Sequence, residues 1–116
     1  MGTWGPGNFE NDSALDMVGG VLDAATAEIA AFRTSDRVGI EDLDQVVACI
    51  AIHLALHDHC RASAPDADMA RAVHEKVLRL FDEKIDLLEP KPGYKAARRA
   101  VLVETLDAYV RAGEDA

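Results

Sequence analysis

Apolar residues recur at three- and four-residue spacing through Leu15, Val18, Leu22, Ala25, Ile29 and Phe32, so the pattern predicts a helix from about Asp12 to Arg33 with one buried stripe. Asn11 or Asp12 suits its N-cap, because a short side-chain acceptor satisfies the free amides of a first turn. Gly19-Gly20 inside this helix cost roughly 1 kcal/mol each relative to alanine, which implies a bend or the close approach of another backbone. A loop follows over Thr34–Ile40, and Glu41-Asp42 open a second helix ending between His57 and Cys60. Its centre, Val46 to Leu56, is apolar on nearly every side and predicts a helix buried among the others. The β-branched part of that run also suits a strand, but its length and its alanines favour helix.

Arg61 to Asp66 reads as a connection, with Ser63 or Asp66 as the next cap and Pro65 compatible with a first helical turn. Met69, Val73, Val77, Leu80, Phe81 and Leu88 carry a third amphipathic helix to about Glu89, where Pro90-Lys91-Pro92-Gly93 ends it. A fourth helix runs from Tyr94 to Ala112, with Ala97, Val101, Leu102, Thr105 and Tyr109 expected on its inner face. The fold class expected is therefore all-α: a compact, four-helix bundle-like single domain over residues 1–116, with residues 1–11 as a turn-rich leader packed on it.

Charge narrows the choice of partner. Lys+Arg number 12 against Asp+Glu 21, a net charge of -9, which disfavours nucleic-acid phosphates and anionic lipid and favours a basic partner. The excess is uneven, with ten acids and two bases in residues 1–60 but eleven acids and ten bases in residues 61–116. Cys49 and Cys60 lie about three turns apart on one predicted helix, roughly 16 Å, too far to bridge. Reduced thiols, the lack of a basic-then-apolar start and the lack of an apolar run near 20 residues together point to the cytoplasm, without a membrane span.

Three groups of residues could carry chemistry. In the leader, Trp4-Gly5-Pro6-Gly7 predicts a sharp turn that lets Trp4 and Phe9 plug the bundle, while Trp4, Glu10, Asn11, Asp12 and Asp16 are the candidate binding positions, the last four offering amide and carboxylate oxygens. Asp12 and Asp16 stand one turn apart on the same side of the first helix. A hard cation would accept such oxygens, although Asp12 equally complements a helix N-terminus. The second group, Cys49, His53, His57 and Cys60, forms one stripe of the second helix. A straight helix brings only neighbours one turn apart onto a shared ion, so His53 and His57 are the candidate metal pair, completed by a carboxylate from another helix such as Asp12 or Asp16. The glutamate that follows the first histidine in a metalloprotease helix is missing, and a neutral histidine satisfied by a carbonyl is the alternative reading. The third group, Lys91, Lys95, Arg98 and Arg99, faces an unfavourable helix-start dipole and needs nearby acids such as Glu89 or those of the first helix.

The opening also resembles that of a bacterial family of small proteins, a DUF4259-like domain of unknown function, whose members begin Met-Gly-x-Trp-Gly-x-Gly-x-Phe-Glu-Asn-Asp-x-Ala-x-Asp. Trp4, Gly5, Gly7, Phe9, Glu10, Asn11, Asp12, Ala14 and Asp16 carry the match. The resemblance implies signature positions and attaches no catalytic role to them.

No nucleophile elbow, phosphate loop, dinucleotide fingerprint or paired Cys-x-x-Cys occurs. The function expected is thus a non-enzymatic protein-interaction module with no cofactor, immunity-like or antitoxin-like toward a basic effector. The alternative is a metal-dependent hydrolase-like protein built on His53, His57 and the N-terminal carboxylates. Val103 and Val110, off the inner face of the last helix, offer a homodimer patch.

Overall fold

A computed structural model describes residues 2–116, and Met1, the first letter of the opening pattern, lies outside them. Four helices follow the leader: α1 (Asp12–Thr34), α2 (Leu43–Cys60), α3 (Ala67–Lys84) and α4 (Tyr94–Glu114). A 3-10 turn (Ile40–Asp42) enters α2 and another (Ile85–Leu88) leaves α3. No strand is formed among the described residues, only an isolated bridge between Thr3 and Asn11. α1 packs chiefly on α2 and α3 chiefly on α4, while α2 against α4 and α1 against α3 close the square. The result is a rod of 53 × 29 × 23 Å.

The caps follow from the sequence. Asn11 Oδ1 accepts from the Ala14 amide at 2.8 Å, and Asp66 Oδ2 accepts from Met69 at 2.8 Å, so Asp66 rather than Ser63 starts α3. The helical path of α3 tightens to 3-10 geometry over Ile85–Leu88 and ends at Glu89, which takes a left-handed φ of 49 just before Pro90, where right-handed helical geometry is disfavoured. The connection after α2 turns through Arg61 at φ 60, a left-handed residue ending that helix.

The core is one cluster in which Ile29, Phe32, Val46, Ile50, Val73, Val77, Phe81, Leu102, Leu106 and Tyr109 are all buried. The α1 stripe is as expected, with Val18, Ala25, Ile29 and Phe32 inside. Two expectations are corrected. α2 is not enclosed: Ala48, Ala51, Ile52 and Ala55 face outward, since a square of four helices gives each member an outer face and alanine tolerates water there. α4 also sits in a different rotation, burying Leu102, Leu106 and Tyr109 while Ala97 and Val101 are exposed. Leu106 withdraws more apolar surface than Thr105 can, and burial goes with apolar area.

Gly19 and Gly20 likewise depart from expectation. A Cβ added at either meets nothing within 4 Å, so no neighbouring backbone of this chain requires them. Gly20→Ala therefore raises stability by about 1 kcal/mol through helix propensity and reduced unfolded-state freedom. Urea denaturation checks this, and a loss of stability would show that α1 bends there in solution.

Candidate functional site

The leader binds itself more than it binds the bundle. Trp4 N–H donates to Glu10 O at 3.0 Å, Asp12 N–H to Gly2 O at 2.8 Å and Glu10 N–H to Gly7 O at 3.1 Å, closing a hairpin-like loop. Two carboxylates fill it: Asp12 Oδ2 accepts from Gly2 N–H at 3.0 Å and Glu10 Oε1 from Gly7 N–H at 3.1 Å. A Cβ on Gly2 would fall on the Asp12 carboxylate, and one on Gly5 or Gly7 on that of Glu10. The glycines of the opening pattern are thus the space its own acids occupy.

Trp4 and Phe9 do not plug the bundle; they are 44% and 40% exposed, and no residue from Gly2 to Met17 is fully buried. Short hydrogen bonds within the leader fix its shape without apolar burial, and Trp4 rests against the Arg61 guanidinium, 5.9 Å from the ring centroid. Of the five leader positions offered for binding, Glu10, Asn11 and Asp12 spend an oxygen on backbone amides. Asp16 is exposed on α1.

The histidines face the connection after α2. His53 is 3% exposed and its Nε2–H donates to Ser63 O at 2.9 Å; a carbonyl only accepts, so Nδ1 is left as the acceptor, 3.4 Å from the Tyr109 hydroxyl. His57 Nδ1–H donates to Ala62 O at 2.8 Å. The two rings strap residues 62 and 63 onto α2. Neither joins Asp12 or Asp16 in a metal-holding group, and no cluster of three or more His, Cys, Asp or Glu side chains suited to an ion is present among the described residues.

Burial holds the His53 pKa below its ordinary 6.5, with the Ser63 hydrogen bond opposing and His57 adding to the shift. The unfolded chain therefore takes up a proton near pH 6.5 that folded His53 refuses. The His53 contribution to stability is flat above that pH and falls as pH drops below it, levelling only beneath the lowered folded pKa. Urea melts from about pH 8 to about pH 5 read this loss, and His53→Gln removes the part of the slope that starts near 6.5. An unchanged slope in that variant would assign it to other groups.

Charge is distributed with a clear bias. Lys95 pairs with Asp86 at 3.1 Å, Arg98 with Asp44 at 3.0 Å and Arg99 with Asp82 at 2.8 Å, so the basic start of α4 is held by acids, though not by Glu89 or the first helix. The Arg99 hydrogen bond lowers the Asp82 pKa, and Asp82 raises that of Arg99 in turn. Arg71 meets Asp68 and Glu114, His74 meets Asp107 at 2.8 Å, and Arg79 meets Glu75. Every ion pair among the described residues except Arg98–Asp44 joins groups of residues 67–114 to one another. Asp16, Asp23, Glu28 and Asp58 of α1 and α2 have none.

Beside these acids stand apolar side chains in water: Met17 is 71% exposed, Val21 44% and Ile52 43%. The sequence carried this signal unused, because Met17 and Val21 form their own i, i+4 pair outside the stripe that begins at Leu15. Val103 and Val110 are half-buried, the latter packed against the core. Cys49 is half-buried and Cys60 buried, both free thiols, and burial with the neighbouring Glu28 pushes the Cys49 thiol pKa up.

Fold and surface together define an all-α protein whose first two helices present an acidic face dotted with apolar residues. The chain matches the family described as Domain of unknown function (DUF4259) over residues 2–115, and it belongs to that family. No curated protein and no solved structure matches it. No helix among the described residues is long and apolar enough to cross a membrane.

Proposed function

We propose that this chain is a non-enzymatic protein-interaction module that binds a cationic protein through the face made by α1 and α2. The observation that supports the reading is the partition of charge: residues 1–60 carry ten acids against two bases, and of the acids of α1 and α2 only Asp44 has an ion-pair partner among the described residues. Exposed Met17, Val21 and Ile52 add apolar area to that face. An acidic surface accelerates encounter with a basic protein, and desolvated apolar contacts then hold it. An immunity-like or antitoxin-like role in the cytoplasm, against a basic effector, is the specific form of this reading.

Affinity capture from a lysate of the source organism at about 0.05 M and about 1 M salt tests it, because screening lengths shrink from more than 10 Å to about 3 Å across that range. A basic protein is expected on the resin at low salt and in the high-salt wash. The combined Asp16→Asn, Asp23→Asn and Glu28→Gln variant should weaken capture roughly tenfold, since losing each steering charge slows association. An empty resin, or retention indifferent to salt and to the variant, overturns the reading.

A further inference from the structure

We infer that the outward face of α1 around Met17 and Val21 is the seat of a partner α-helix carrying apolar side chains flanked by lysine or arginine; this rests on the interaction reading above and locates its interface. Glu28 and Gln45 hydrogen-bond at 3.2 Å across the seam between α1 and α2. Seven residues are two helical turns and return to the same face. Val21, seven before Glu28, and Ile52, seven after Gln45, therefore stand on that same seam, and both are exposed. Met17 lies one turn further along α1 and is the most exposed apolar side chain of the first two helices.

The chemistry of the occupant follows from what borders this strip. Asp16 and Asp23 share one edge of it and Glu28 closes its far end, none with an ion-pair partner among the described residues. A second copy of the chain would bring like charges together, whereas lysine or arginine on a partner would neutralise them. Between Met17 and Val21 the surface is Gly20, followed by exposed Ala24, and nothing of this chain lies within 4 Å of a Cβ placed on Gly20. Apolar knobs beside so low a surface admit another helix at an axis separation of about 8 Å, the close end of helix packing. Helix docking by an apolar face with cationic flanks is an established recognition mode.

The probe is a synthetic 18-residue helical peptide with leucine on one face and lysine on the other, beside a control with glutamate in place of lysine. Titration into the full chain, followed by amide NMR, should shift residues 13–28 and Ile52 and leave α3 and α4 unmoved. Met17→Ser with Val21→Ser, and separately Gly20→Leu, should each weaken binding about tenfold or more, as loss of central apolar anchors does. Circular dichroism confirms folding, and Val101→Ser on exposed α4 surface should bind as wild type.

Shifts centred on α3 and α4, or unaltered affinity in both variants, overturn this inference while leaving the interaction reading intact if Asp16→Asn with Asp23→Asn still weakens binding. A glutamate peptide that binds equally well, or no binding of the lysine peptide, removes both. Sedimentation showing a dimer that Met17→Ser with Val21→Ser dissolves would identify the occupant as a second copy and overturn the cationic helix.

Discussion

Truncating Tyr109 to alanine should lower stability by about 4 kcal/mol, within the range for a fully buried aromatic. Tyr109 is the largest of the side chains with essentially no exposure, and its ring meets His53 edge-on at a centroid distance of 5.5 Å and an interplanar angle of 72°. Alanine leaves a cavity between α2 and α4 that the rest of the core cannot close without moving. It also leaves His53 Nδ1 without the Tyr109 hydroxyl, its one hydrogen-bond donor among the described residues. Tyr109→Phe keeps the ring and loses only the hydroxyl, so its cost should be about 1 kcal/mol, the usual net worth of one hydrogen bond. Set against a total of about 5–15 kcal/mol for a small domain, the first variant is close to unfolding and the second is not.

Urea denaturation of the two proteins side by side measures both values, and a cost below about 1 kcal/mol for Tyr109→Ala would mean that α4 buries another face. The hydroxyl adds an alkaline signature. Desolvation, with Asp66 and Cys49 adding to it, pushes the Tyr109 pKa from 10.0 to about 12. Between those values the unfolded chain releases a proton that the folded one keeps, so stability falls as pH rises through that window. Tyr109→Phe should remove the part of this fall that lies between 10.0 and about 12. Burial thus favours the neutral forms of both His53 and Tyr109, and the raised Cys49 pKa adds an alkaline loss of the same sign that begins nearer 9.0.

The sequence made α1 legible because its apolar period, its Asn11 cap and its buried stripe all agree, and agreement between levels is what specifies an element. α4 was ambiguous for the opposite reason. Ala97, Val101, Thr105 and Leu106 offer two neighbouring stripes of similar quality, and only the packing of Leu106 against the other helices chooses between them. The leader failed differently. Aromatic residues suggested burial, but the fold there is set by carboxylates filling the space above glycines, a side-chain to backbone complementarity with no period to detect. The histidine stripe was readable as a stripe, yet its use depends on Ala62 and Ser63 folding back over it, a tertiary event. The unspent acids of α1 could be counted from sequence, but their lack of partners could not.

Lys76→Met should cost about 2–3 kcal/mol, the second-largest effect of any single change considered, because one ammonium terminates α1 from a different helix. The last carbonyls of a helix have no intrahelical donors and carry the negative end of its dipole. Lys76 Nζ donates to Phe32 O, to Ser35 O at 2.7 Å and to Arg33 O at 3.2 Å, and it lies 5.0 Å from the Phe32 ring centroid. Methionine keeps the apolar stem over Phe32 and removes only the charge and its three donors, so the loss reads the polar contribution. Hydrogen bonds to charged groups are worth about 1.5–3 kcal/mol; water can reach the Arg33 and Ser35 side of the site, which keeps the sum from being three times that. Hydrogen exchange should show faster amides at the end of α1 and over residues 35–38, with the centre of α3 unchanged until global unfolding. If Lys76→Met unfolds at the wild-type urea concentration, water caps α1 as well as the ammonium does, and apolar packing through Phe32, Val73 and Val77 alone fixes α1 on α3.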